Sequence, residues 1–149
     1  MGARHSGREA ALQMIFQMEA SGADADATIE LFWRSFVDSA DPDGRAYADE
    51  LVRGVAAAKI GLDRYVVEAS AHWRIERMTR VDRNVLRLGS WELVYRKDIP
   101  RAVVLDEAVE LAKAFGTDDS GSFVNGVLNR IADTLGRTDE EPSKKPDST

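Results

Sequence analysis

The sequence predicts an all-α protein, a compact helical bundle of about seven helices. Three observations lead there. Apolar residues return at helical spacing in one segment after another. The four prolines, Pro42, Pro100, Pro142 and Pro146, all fall outside those segments, where they break no helix interior. Strand signals are poor: the best apolar run, Ala102 to Leu105, is short, and no hairpin dipeptide separates alternating segments.

Ser6-Gly7-Arg8-Glu9 has the form of a capping box and precedes Ala11, Leu12, Ile15 and Phe16 on one helical face. A first helix is expected over 7–20, with Gly22 as its natural end. Asp24 or Asp26 can cap a second helix, whose inward face is Ile29, Phe32, Trp33, Phe36 and Val37. Asp41-Pro42-Asp43-Gly44 reads as a turn. The stretch 45–72 reads as helix, with Tyr47, Leu51, Val55, Leu62, Val66 and Ala69 inward. Gly54 and Gly61 each weaken it by about 1 kcal/mol relative to alanine, and a break near Gly61 is the alternative.

From Thr79 to Arg96 a further helix places Val81, Val85, Leu88 and Gly89 on one side. Arg80, Arg83 and Arg87 fall within about 60° of each other on the other side. Pro100 closes that element. Val104, Ala108, Leu111, Ala112 and Phe115 form the next stripe, stopped by Gly116. Asp118 or Asp119 is positioned to cap a last helix, with Phe123, Val124, Val127, Leu128, Ile131 and Leu135 inward and Gly136 at its end. The expected organisation is one helical domain over 1–136 and a disordered polar tail over 137–149.

The 149 residues contain 20 basic and 26 acidic side chains, a net charge of −6, which taken alone argues against nucleic-acid binding. The charge is unevenly spread. Residues 19–50 hold nine acids and two bases, whereas residues 74–101 hold eight bases and four acids. No apolar run approaches the roughly 18 residues a membrane span needs. The first eight residues lack an apolar signal core, so a cytoplasmic protein is expected. Cysteine is absent, and His5 and His72 are the only imidazoles. Disulfides, thiolate metal sites and cysteine nucleophiles are thereby excluded, and two imidazoles argue against a histidine-rich metal site.

Catalysis finds no foothold. Phosphate-binding and dinucleotide-binding glycine loops are missing, as is a nucleophile elbow. Asp106, Glu107 and Glu110 have the spacing of a bundle metal site, but no Glu-x-x-His partner exists; helix-start acids favoured by the dipole are the plainer reading. His72 reads as a partner for a helix C-terminus. Glu92 falls inside an apolar arc, where a carboxylate needs a cationic or hydrogen-bonding partner. No cofactor, metal or catalytic residue is expected.

Binding of single-stranded RNA has more support. It needs cations for phosphates and exposed planar side chains for bases. Arg4, His5 and Arg8 open the first helix, where free N–H groups also favour phosphate. Phe16 lies at the edge of the first apolar stripe, and Phe123, beside Ser122, lies in the first turn of the last helix. Taken singly, each aromatic also fits a core.

Three motifs stand in the C-terminal half. They are Val85-Leu86-Arg87-Leu88 with Trp91-Glu92-Leu93, then Asp106 to Lys113 with Phe115-Gly116, then Asp119-Ser120 with Phe123-Val124-Asn125-Gly126-Val127-Leu128. In this order and spacing they resemble the NusB family of bacterial transcription antitermination factors. Arg8-Glu9-Ala10 with Gln13 adds the family's N-terminal pattern. The resemblance covers residues 4–135. It implies two packed three-helix bundles and a binding activity without catalysis. It also implies a partner, NusE, which is a small-subunit ribosomal protein. The pair would bind boxA RNA of nascent transcripts, ribosomal RNA above all, and help assemble an antitermination complex on RNA polymerase. No membrane role is implied, and self-association into a homodimer is left open, with Trp33, Trp73 or Trp91 available to a dimer surface or to a core.

Carried over by position, the RNA-facing residues are Arg4, His5, Arg8, Gln13, Phe16, Ser122 and Phe123. The NusE-facing surface includes Glu76, Asp82 and Asp119, with the helix around Arg83 and Arg87 nearby. Acids suit a cationic ribosomal protein. The arginine-rich start is thin: His5 and Ser6 stand where family members can carry arginine, and Ser122 where lysine can occur. The chain alone is therefore expected to bind boxA-type RNA poorly and to need NusE. NusB-like domains also precede methyltransferase domains acting on ribosomal RNA cytosines, but here no cofactor domain follows and no cysteine exists to attack the ring. The other rival is a protein-binding helical regulator with weak or lost RNA binding.

Overall fold

The structure, a computed structural model, describes residues 2–35 and 41–138. It holds six α-helices: α1 (Ala3–Ser21), α2 (Ala25–Ser35), α3 (Pro42–Ala69), α4 (Arg80–Tyr95), α5 (Arg101–Phe115) and α6 (Ser120–Thr134). The short element between α3 and α4 is a single 3-10 turn, Ile75–Arg77, so the expected count of about seven is one α-helix too high among the described residues. No strand occurs among them, and the Ala102–Leu105 run lies inside α5. The chain divides into two compact units, Met1–Lys59 and Ile60–Thr149.

In the first unit, α1 starts earlier than its apparent capping box. Ser6 lies within the helix and its hydroxyl donates to the Gly2 carbonyl at 3.5 Å, while Glu9 lies 3.4 Å from His5 Nε2 instead of reaching back to Ser6. Gly22 ends α1 at φ 76°, its N–H donating to the Met18 carbonyl. Asp24 caps α2, accepting from the Ala27 N–H at 2.9 Å. The expected inward residues Phe36 and Val37 lie outside the described residues. Asp41 to Gly44 is not a free-standing turn: Pro42 opens α3 as its first residue, where its missing N–H costs nothing. The core of this unit is Leu12, Met14 and Ile15 from α1, Ile29, Phe32 and Trp33 from α2, and Tyr47, Leu51, Val52 and Val55 from α3. Trp33 donates its indole N–H to Asp49 at 2.7 Å.

Two glycines let α1 approach α3. A Cβ on Gly7 would stand 2.8 Å from the Gly44 carbonyl oxygen, and one on Gly44 would stand 3.1 Å from the Ala3 carbonyl oxygen. The contact is backbone against backbone, which only hydrogen in place of a side chain allows. Gly61, by contrast, interrupts nothing: α3 runs through it, and a Cβ there would meet no atom within 4 Å.

In the second unit, α4, α5 and α6 pack on one another. Every residue from Asn84 to Leu93 is buried. This overturns the expected basic side at Arg87, while Arg80 stays exposed and Arg83 half-buried. Arg87 is 5% exposed and forms a two-pronged ion pair with Asp63, Nε to Oδ1 at 2.7 Å and Nη2 to Oδ2 at 3.0 Å. Its Nη1 donates to Asn84 Oδ1 at 2.9 Å. A wheel shows one helix in isolation; neighbours on several sides bury the arc it marks as polar. Thr79 caps α4 by accepting from the Asp82 N–H at 3.1 Å. Asp119 precedes α6 but makes no side-chain cap bond; Ser120 Oγ accepts from the Thr117 N–H at 3.1 Å instead.

The expected tail begins too early at 137. Arg137 is buried, its guanidinium donating to the Leu93 and Ile99 carbonyls, and Arg101 Nη1 donates to the Arg137 carbonyl at 2.6 Å. It satisfies carbonyls at the end of α4 and in the α4–α5 turn, which would otherwise be left without partners. The rest of the expected tail, 139–149, lies outside the described residues. Asp63→Ala is expected to lower stability by about 3–5 kcal/mol, since it strands the Arg87 charge in the core. Urea unfolding of the variant against the parent chain checks this; a loss below about 1 kcal/mol would mean the pair contributes little.

Candidate nucleic-acid interface

The residues expected to face RNA fall into one group in each unit. In the first unit all five lie on α1. Its first turn holds no acidic residue, and its N-cap, Gly2, has no side chain to cap it. A helix start of this kind attracts anions through its dipole. Arg4 is exposed there. Arg8, one turn later, is only 4% exposed, because Ala11, Leu12 and Ile15 share its face. The two guanidinium carbons lie 5.3 and 5.6 Å from the centroid of the Tyr47 ring. Tyr47 is itself buried, so one fixed ring steadies both cations at the start of α1.

His5, Gln13 and Phe16 are half-buried and lie within about 80° of one another on α1. Glu9 shares that face and pairs with His5. The cationic surface at this end thus depends on Arg4 more than on a cluster.

In the second unit, Ser122 is exposed and Phe123 is half-buried, both in the first turn of α6. The Phe123 ring lies 6.2 Å from the Trp73 ring, tilted by 52°. That contact brings the segment between α3 and α4 against the start of α6. These are the two stretches that carry Glu76 and Asp119, both exposed and both expected to face a protein partner. Glu76 sits in the 3-10 turn and pairs with Arg74 at 3.2 Å. Its own backbone amide, and then Arg74, hold its carboxyl below the ordinary glutamate range. Asp82 and Arg83 are half-buried at the start of α4, and Arg83 Nη1 donates to the Met78 carbonyl at 2.9 Å. Arg87 is committed to Asp63 and Asn84, as described above.

A groove of about 670 Å³ runs along α5 and α6, with Asp106, Glu110, Lys113 and Asp118 in its walls. Asp106 stands beyond the first turn of α5, which holds no acid, so the helix-dipole reading of these carboxylates does not apply. Among the described residues no group of three or more histidine, aspartate or glutamate side chains is placed to hold a metal ion. Among the described residues no helix is long and apolar enough to cross a membrane.

Two contributors escaped the sequence reading. Tyr47 sat in an apolar stripe and gave no sign of holding cations. Trp73 stood undecided among three tryptophans; Trp33 and Trp91 are each 7% exposed, whereas Trp73 is 55% exposed. Its position just past the end of α3, outside every apolar stripe, was the available signal.

A family model described as the NusB family matches residues 5–133. The "Transcription antitermination protein NusB" of Sorangium cellulosum is 60% identical over 141 residues, covering 95% of this chain and 99% of that protein. The protein of the same name from Myxococcus xanthus is 48% identical, covering 92% and 99%. Among solved structures, T. maritima NusB aligns with a TM-score of 0.78 at 34% identity, covering 89% of this chain and 92% of the other. A chain from a structure of the antitermination factors NusB and NusE with double-stranded RNA aligns at 0.80 and 26% identity, covering 90% and 98%.

Gly7→Ala is expected to cost about 1–3 kcal/mol, because the new methyl meets the Gly44 backbone and not a side chain that can turn away. Gly61→Ala, in open space on α3, is expected to stabilise by about 0.5–1 kcal/mol. Chemical denaturation of the two variants side by side tests both expectations; equal effects would refute the close approach at Gly7.

Proposed function

This chain belongs to the NusB family, and from that membership we propose that it is a transcription antitermination factor acting with the ribosomal protein NusE on boxA RNA of nascent transcripts. It works in the cytoplasm by binding, without catalysis, and helps assemble the antitermination complex on RNA polymerase. The observation that carries this reading is the likeness, over 90% of this chain, to a chain from a structure of NusB and NusE with RNA. The RNA in that structure is double-stranded. For this chain the reading is a single strand, since Phe16 and Phe123 are half-open aromatics suited to unpaired bases.

In this reading Arg4, His5, Gln13, Phe16, Ser122 and Phe123 meet the RNA. Arg8, buried against Tyr47, acts chiefly by holding the start of α1 in place. Glu76, Asp82, Arg83 and Asp119 meet NusE, and Arg87 supports α4 from within. With Arg8 inside, phosphate contacts are few, and this explains why an acidic protein with a thin basic start would need NusE for firm RNA binding.

A native gel with boxA RNA, the chain and NusE, omitting each in turn, tests the reading. The pair should retain the RNA and the chain alone should retain little. A chain that binds NusE but never RNA would establish the protein-binding regulator in its place. Two variants separate phosphate from base contacts. Arg4→Glu should flatten the dependence of log affinity on log salt by about 0.7. Phe123→Ala should cost about 1–3 kcal/mol of RNA affinity with an unchanged salt slope and little loss of stability. A large fall in melting temperature with unchanged RNA affinity would show Phe123 to be a core residue.

A further inference from the structure

We propose that Trp73 is a second base-stacking residue, and that with Phe123 it forms a two-ring platform for single-stranded RNA. The inference rests on the RNA-binding reading above and adds a residue to it. Four large apolar side chains of the second unit are exposed, Ile60, Trp73, Tyr95 and Val103, and of these Trp73 lies against the Phe123 ring. An indole more than half in water keeps a broad, flat apolar face open to a planar partner.

The placement is fixed from several sides. Ala71 and His72 have φ of 58° and 67°, values that side-chain-bearing residues seldom adopt. The His72 N–H donates to the Val67 carbonyl at 2.9 Å and the Trp73 N–H to the Ser70 carbonyl at 3.2 Å. Arg130 of α6 donates to the Ala69 carbonyl at 2.8 Å. A ring held in this way is pre-ordered for binding, which lowers the entropy lost when a base settles on it. The 52° tilt between the rings excludes one base sandwiched between them, so each ring takes a base of its own. Along the chain His72, Arg74 and Arg77 stand close to Trp73 with a single acid, Glu76, which pairs with Arg74. An exposed aromatic among cations is the footprint of a single-strand surface, where stacking is indifferent to which base arrives.

The test uses the full chain with NusE and a boxA RNA oligonucleotide. Trp73→Ala should weaken RNA binding about 5- to 150-fold, and Trp73→Phe should restore most of it. RNA should quench the acrylamide-accessible tryptophan emission of the parent chain, a signal that Trp73→Phe removes because the other two indoles are buried. Unchanged RNA affinity in a folded Trp73→Ala chain would overturn the proposal and leave the RNA reading standing if Phe123→Ala still loses affinity. Loss of NusE binding without RNA would also overturn it, and assign Trp73 to the protein interface. If Trp73→Ala fails to fold, the parent's quenching decides, and its absence in an RNA-bound complex overturns the proposal. A parent chain that never binds RNA would overturn both.

Discussion

Arg87 lies inside the second unit with its guanidinium gripped by both oxygens of Asp63, so the end of α3 and the middle of α4 are joined by charge as well as by packing. A cation in that position has no water to fall back on, and its geometry is accordingly demanding. Asn84 takes the remaining direction. With α4 held at its centre and Thr79 closing its start, the segment from Ser70 to Thr79 is suspended between two fixed ends. The Trp73 ring, Glu76 and the first turn of α4 belong to that segment or border it. The ion pair thus helps fix the frame on which these groups stand.

The first unit solves the same problem differently. There the frame is a backbone approach, α1 laid on the start of α3 through two glycines, and the groups it holds are cations stacked on Tyr47. Neither unit is strongly basic. The charge that matters is local: a few arginines set at fixed points in a chain whose total is negative. Such a surface favours recognition by shape, stacking and a second protein over recognition by bulk attraction, which salt would screen.

Much of this was legible in the residues. The helical stripes, Gly22, Thr79 and the motifs from Val85 to Leu128 gave the fold class, most helix borders and the family resemblance, because they are local and periodic. What stayed hidden depends on contacts across the chain. Ser6 and Glu9 have the spacing of a cap, but the helix begins a turn earlier, where Gly7 meets Gly44. Arg87 is polar in type and its arc looked solvated; only the surrounding helices reveal it as buried. Arg137 follows a terminating glycine and precedes proline-rich sequence, so composition alone assigned it to a tail, while its partners lie 38 and 44 residues away. Trp73 stands outside every apolar stripe, but an indole in a sequence does not say whether a distant part of the chain covers it.

The backbone contact between α1 and α3 also bears on how such a protein can change over generations. A methyl at position 7 is admissible only if the main chain at 44 retreats, and one at 44 only if the main chain at Ala3 does. Drift at one of these sites therefore alters what the other tolerates, and in an alignment of homologues positions 7 and 44 should vary as a linked pair. The linkage would be inherited through carbonyl positions rather than through any side chain, and a search for coevolving side-chain contacts would have no chemistry to explain it.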